Sequence, residues 1–160
     1  MNHIAQIAFV VSDIRAALGR YSRLLGPSSW RCYTFSASMH EQAEYHGVPA
    51  EFSALLALND QSPQLELIQP LEGNSIHRDW LEEHGEGVHH VGVVVDSLAE
   101  EVAGMTEAGY PVIQSGSGFG AGGDGAYAYF DTAADLGVIV EAFEPPRSLP
   151  EPDFVWPGER

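Results

Sequence analysis

Four residues stand out by type and spacing: Gln6, Glu66, His90 and Glu141. Gln6 and His90 open two β-branched runs that align without a gap, Gln6-Ile7-Ala8-Phe9-Val10-Val11-Ser12-Asp13-Ile14 on His90-Val91-Gly92-Val93-Val94-Val95-Asp96-Ser97-Leu98. Glu66 and Glu141 hold matching places in Leu65-Glu66-Leu67-Ile68-Gln69-Pro70 and Val140-Glu141-Ala142-Phe143-Glu144-Pro145. A carboxylate flanked by apolar residues inside a strand is costly to desolvate unless something pairs with it. One such residue could simply face solvent. Two at equivalent positions, with an imidazole and a carboxamide at the other equivalent pair, suggest shared coordination of a divalent cation. Two carboxylates neutralise the ion, and four protein ligands leave about two open positions in an octahedral site. Mainly oxygen ligation suits magnesium, manganese, cobalt, nickel or zinc and does not choose among them.

The elements that must carry these side chains form an internal repeat. After Asp13, apolar residues Ile14, Ala17, Leu18, Tyr21, Leu24 and Leu25 recur at helical spacing and stop at Gly26-Pro27. After Ser97, Leu98, Val102, Met105 and Ala108 do the same and stop at Gly109. Further strands are expected at Trp30 to Phe35, Phe52 to Leu58, Pro111 to Gln114 and Ala126 to Phe130. Each half therefore reads βαβββ. The expected fold is α+β, two βαβββ modules whose curved mixed sheets surround one pocket. The modules span 3–71 and 87–146, with a linker helix at 74–84 and a surface tail at 147–160, all in a single domain. Because strands alternate their faces, Gln6, Ala8 and Val10 share one face, as do His90, Gly92 and Val94. If the modules are related by a pseudo-twofold axis, the four polar side chains converge near it.

Composition narrows the partners. The net charge is −16 and the seven cations are all arginine, a balance that repels nucleic-acid backbones and anionic lipid surfaces. No apolar run approaches the ~20 residues of a membrane span, and the amino terminus lacks the pattern of a signal peptide, so a cytoplasmic protein is expected. The single cysteine, Cys32, reads as a buried structural residue.

The stretches "HIAQIAFVVSDIRAALGRYSRLLG", "GEGVHHVGVVVDSL" and "AYFDTAADLGVIVEAFEPP" resemble the vicinal-oxygen-chelate superfamily, the glyoxalase, bleomycin resistance and dioxygenase type, from about Ile4 to Pro145. They look most like methylmalonyl-CoA epimerase and related glyoxalase-type domains. The resemblance implies metal ligands from the first and fourth strands of each module, which map to Gln6, Glu66, His90 and Glu141. The order Gln, Glu, His, Glu is that of the human-type lactoylglutathione lyases, whereas epimerases usually carry His at the place of Gln6. It further implies a metal-dependent isomerase, epimerase or lyase that acts on a small carbonyl compound through a metal-stabilised enolate. Glu141 would serve as ligand and base, with Glu51 the second candidate base. A homodimer is implied as well. Some members bind drug-like ligands without metal or catalysis, and this is the alternative function.

The remaining histidines carry blander expectations. His89 should lie on the strand face opposite His90, as a surface or supporting residue. His3, His40, His46, His77 and His84 read as exposed, with His40 and His46 in a loop or ragged edge spanning Ser36 to Pro49, near the site. The run Gly116 to Gly125 neither opens a helix nor carries a lysine, so a mobile loop over the pocket mouth is expected rather than a phosphate cradle. The lack of lysine disfavours coenzyme A thioesters. The tail from Pro145, rich in proline, should lie along the surface, with Phe154 and Trp156 either pinning it there or reaching a second subunit.

Overall fold

The computed structural model describes residues 3–158, so the last two residues of the expected tail lie outside it. The first half runs β1 (Ile4–Val10), α1 (Ile14–Leu25), β2 (Trp30–Ser36), a short hairpin of β3 (Gln42–Tyr45) and β4 (Val48–Pro49), then β5 (Ser53–Leu58) and β6 (Gln64–Pro70). Helix α2 (Ile76–His84) leads to β7 (Gly87–Val94), α3 (Leu98–Glu107), β8 (Val112–Phe119), β9 (Gly125–Phe130), the one-turn α4 (Ala133–Leu136), β10 (Ile139–Glu144) and β11 (Phe154–Trp156). Among the described residues, eleven strands form one curved, unclosed mixed sheet in the order β11-β2-β5-β6-β1-β7-β10-β9-β8-β3-β4. The expected α+β class is therefore the observed one.

The repeat is visible down to single hydrogen bonds. Asp13 and Ser97, aligned in sequence, cap α1 and α3 by accepting from the amides of Ala16 and Glu100. Losing such a cap costs about 1 kcal/mol. Gln69 Oε1 accepts from Ile14 N and Glu144 Oε1 from Leu98 N, each at 2.9 Å, so the end of each closing strand holds the start of its helix. Val11 N to Ile68 O and Val95 N to Phe143 O repeat the same strand-end bond. Helix α1 ends at Gly26, whose φ of 93° is the left-handed cap. It buries Ile14, Ala17 and Leu18 against Trp30, Cys32, Ala57 and Leu67 on the convex side of the sheet. Each large aliphatic side chain so buried contributes roughly 1.5–3 kcal/mol.

Three segments depart from expectation. The insert at Ser36 to Pro49 is the edge of the two alternatives, but an edge of the other half: β3 pairs antiparallel with β8, so first-half residues extend the second half's sheet. The glycine-rich run is not a free loop. Gly116 to Phe119 finish β8 and Gly125 begins β9, leaving only a short turn between paired strands. Glycine serves close packing there, since a Cβ at Gly125 would lie 2.7 Å from the Phe119 ring. The proline-rich tail does not merely follow the surface. It crosses from β10 to the far edge, where β11 pairs with β2, and on the way Pro146, Leu149 and Pro150 line the central cavity. Phe154 and Trp156 do pin it, packing against the core around α1, with the Arg15 guanidinium 4.0 Å from the Phe154 ring centre.

Candidate metal centre

The four central strands, β6, β1, β7 and β10, place the polar residues on two rungs two residues apart, successive on one face of the sheet. One rung reads Gln64, Gln6, Gly92, Glu141, and the next reads Glu66, Ala8, His90, Ile139. Small residues sit between the large polar ones, which leaves room for them to meet. Gly92 is close to the limit: a Cβ there would lie 3.2 Å from Gln6 Cβ and 3.0 Å from the Phe143 ring. A larger residue at 92 would push Gln6 off its place.

All four side chains are buried, and their polar ends converge. His90 Nε2 lies 3.1 Å from Glu141 Oε2, 3.5 Å from Glu66 Oε2 and 3.4 Å from Gln6 Oε1. Ligands at adjacent positions of an octahedral ion with bonds of about 2.1 Å are about 3 Å apart. The cluster has that spacing, with three oxygens and one imidazole nitrogen around a common point.

The amide of Gln6 supplies a further test. Gln64 Nε2 donates to the carbonyl of Asn59 at 3.1 Å, which turns Gln64 Oε1 toward Gln6 and fixes Gln6 Nε2 as the donor to it at 2.9 Å. Gln6 Oε1 therefore faces the cluster. The reversed amide would donate to Glu66 Oε2 and Glu141 Oε2, each at 3.2 Å, but would set its oxygen 2.9 Å from Gln64 Oε1. We favour the orientation tied to the Asn59 carbonyl, because that acceptor cannot rotate. It leaves three oxygens facing inward, an arrangement that a cation relieves and that an empty, dry pocket would disfavour. The donor set thus fits a divalent ion.

Electrostatics agree. Burial alone would lower the His90 pKa, but Glu141 and Glu66 outweigh it and raise it to about 9. Burial pushes the Glu66 carboxyl up, with His90 opposing and Glu141 adding to the rise. Without a metal, a proton on His90 holds the cluster together.

His89 is a correction. It is completely buried, like His90, because the β1–β7 register slips between Ala8 and Phe9: Ala8 faces His90 but Phe9 faces Val88. This bulge breaks the alternation on which the expected outward side chain depends. His89 Nδ1 lies 2.9 Å from His90 Nδ1. His77 is also buried, its ring 4.6 Å from that of His89, because the start of α2 tucks over the sheet. Burial pulls its pKa down to about 3, so it is neutral. His77, His89 and His90 together form a buried histidine cluster with ligand atoms within 4.8 Å of one another, able in principle to hold a metal. The oxygen-rich cluster is the better candidate, since His90 presents Nε2 to it and its carboxylates can balance the charge.

Other expected residues lie apart. Glu51 is exposed and lines a separate groove, whereas Phe52 and, on β5, Ala54, Leu56 and Leu58 line the central cavity. His40 is half-buried rather than exposed, its ring 4.5 Å from Phe35. His3, His46 and His84 are exposed.

Gln6, Glu66 and Glu141 open onto a cavity of about 510 Å³ walled largely by Phe35, Phe52, Leu56, Ile68, Tyr129 and Phe143. Among the described residues, no arginine lines it. Sequence reasoning passed over Gln64, although its place two residues before Glu66 on the same strand face was a usable signal. It also passed over Gln114, which carries no repeat partner.

Comparison with known proteins places this geometry in a family. Residues 5–130 match the glyoxalase/bleomycin resistance protein/dioxygenase superfamily. The uncharacterized protein YqjC of Bacillus subtilis (strain 168) is 28% identical over 146 residues, covering 91% of this chain and 94% of the relative. Among solved structures, the hypothetical protein BH1468 from Bacillus halodurans C-125 superposes with a TM-score of 0.67 at 22% identity, covering 94% of this chain and 99% of that one. Methylmalonyl-CoA epimerase from Mycobacterium tuberculosis shares the fold with a TM-score of 0.57 at 17% identity, over 89% of this chain and 87% of that one. The repeated strands, the curved sheet and the matched region agree: the chain belongs to the glyoxalase/bleomycin resistance protein/dioxygenase superfamily.

Proposed function

We propose that this protein is a metal-dependent isomerase, epimerase or lyase acting on a small carbonyl compound, with Gln6, Glu66, His90 and Glu141 as metal ligands and Glu141 as the base. The observation that carries the reading is the convergence of three side-chain oxygens and His90 Nε2, 3.1–3.5 Å from that nitrogen, at the wall of an apolar cavity. A divalent ion held there would act as a Lewis acid toward two neighbouring substrate oxygens and stabilise the charge that develops on them.

The chain's own groups do the rest. Glu141 lines the cavity and carries a carboxylate able to take a proton from the carbon alpha to a carbonyl and return it. His90 holds both Glu141 and Glu66 in place, and Gln64 keeps the Gln6 oxygen aimed inward. The aromatic walls and the tail segment Pro146 to Pro150 limit water access. Glu51, exposed and outside the cavity, has no part in this reading. The lack of lining arginine supports a small uncharged substrate rather than a coenzyme A ester, the ligand named for some of the epimerase structures of the same fold. A cytoplasmic homodimer completes the proposal, its assembly checked by light scattering.

The test is α-proton exchange in deuterated water, followed by NMR on a panel of small α-hydroxyketones and 2-oxoaldehyde adducts with cobalt- or nickel-loaded protein. Exchange that vanishes in Glu141→Gln supports the reading. No exchange with any compound, from protein that binds them, would replace it with a non-catalytic binding role.

A further inference from the structure

Five buried side-chain polar atoms have no hydrogen-bond partner among the described residues, and three of them belong to residues on the cavity wall: Gln114 Nε2, His77 Nε2 and the Tyr127 hydroxyl. All three residues line the cavity, and each is more than nine-tenths buried, at 1%, 7% and 6% exposure. Buried polar groups left unmatched weaken a fold, so three on the cavity wall call for a ligand that satisfies them.

Their placement is built, not accidental. Gln114 Oε1 accepts from the amide of Ile76, the first residue of α2, at 2.9 Å, which fixes the amide and leaves its NH2 end as the unmatched one. Gln114 pairs across strands with Tyr129, and Gly116 pairs with Tyr127, so Gln114 and Tyr127 share one face a single step apart. His77 follows Ile76 on α2, its ring 5.2 Å from Tyr129. The nine-residue helix adds the partial positive charge of its start.

We infer that Gln114 and Tyr127, on the strands beyond Glu141 in the sheet, form with His77 at the start of α2 a second polar subsite that takes a neutral acceptor oxygen, a ketone or amide carbonyl. A charged acceptor fits worse. The three groups are uncharged, no arginine lines the cavity among the described residues, and Glu66 and Glu141 share it. The ligand is thus a small molecule with two oxygen-bearing ends joined by an apolar middle that lies against Leu56, Ile68 and Phe143. The inference rests on the same cavity as the proposed function, but not on a metal being present.

The test uses acetophenone and α-methylstyrene, equal in shape but differing in a carbonyl oxygen, together with benzoate. Binding to the full chain is followed by NMR titration, once after chelator treatment and once after cobalt loading. Acetophenone is expected to bind about tenfold more tightly than α-methylstyrene in both states, and more tightly than benzoate. In Gln114→Leu the preference should fall below about threefold. Should that variant not fold, Tyr127→Phe, which removes one hydroxyl only, is expected to reduce the preference as well. Equal affinities, no saturable binding, stronger binding of benzoate, or a preference untouched by both substitutions would overturn the subsite. So would a preference seen only with cobalt, since the oxygen would then belong to the four-residue cluster. That last result would leave the proposed function standing, whereas a carbonyl preference in a protein that retains no cobalt after loading would leave the subsite standing and fail the proposed function alone.

Discussion

Gln64 donates to the Asn59 carbonyl and accepts from Gln6 Nε2 at 2.9 Å, so Gln6 turns its oxygen, not its nitrogen, toward Glu66 and Glu141. A residue outside the cluster thereby decides what one member of it can offer. Gln64→Leu frees the Gln6 amide to reverse and donate to both carboxylates. We expect metal affinity to fall about 10- to 100-fold with the fold intact, by competition titration against a chelator. Unchanged affinity would mean that Gln6 needs no such support.

The metal-free protein should respond to pH through His90. Its pKa, about 9 in the folded chain, stands above the ordinary value of 6.5, so the stability it contributes is fully present below pH 6.5 and is lost as pH rises through 9. The melting temperature of chelator-treated protein should therefore decline over that window. His90→Gln should flatten the decline. Protons and metal compete for the same nitrogen, so metal affinity should rise by roughly tenfold per unit as pH increases toward 9.

The strap formed by the tail depends on Gly120. Its φ is +90°, and a Cβ there would lie 2.3 Å from Pro146 Cβ. Gly120→Val should destabilise the chain by about 1–3 kcal/mol, through overpacking and backbone strain. For a chain of this length each kcal/mol lowers the melting temperature by roughly 2–4 °C. Gly122→Ala, which meets nothing closer than Asp124 at 3.5 Å, is the control and should stay within about 1 kcal/mol of the wild type.

Cys32 should be inert. It is wholly buried, and desolvation raises its thiol pKa to about 11. Iodoacetamide at pH 8 should alkylate it at a rate that tracks unfolding, and rise sharply once denaturant is added. Rapid alkylation of the native chain would contradict the packing of β2 against α1.

The cluster was legible in the sequence because repeat-equivalent positions fall on equivalent rungs: Gln6 and His90, and Glu66 and Glu141, needed only strand alternation and a gapless alignment. The same alternation misplaced His89, because a bulge is a register event between two strands and leaves no mark on either one. The pairing of β3 with β8 and of β11 with β2 joins residues far apart in the chain, and the local pattern of neither segment names its partner. Gln114 and His77 belong to no repeat, and their importance comes from meeting at the start of α2, a tertiary fact.

Metal analysis of the purified chain tests most directly whether Gln6, Glu66, His90 and Glu141 hold a divalent ion. Protein prepared without chelator, or reconstituted with nickel, cobalt, manganese or zinc, should carry about one ion per chain, and His90→Ala with Glu141→Gln should carry none. Stoichiometric metal that persists in this double variant, or none in the wild type under any loading condition, would contradict the account.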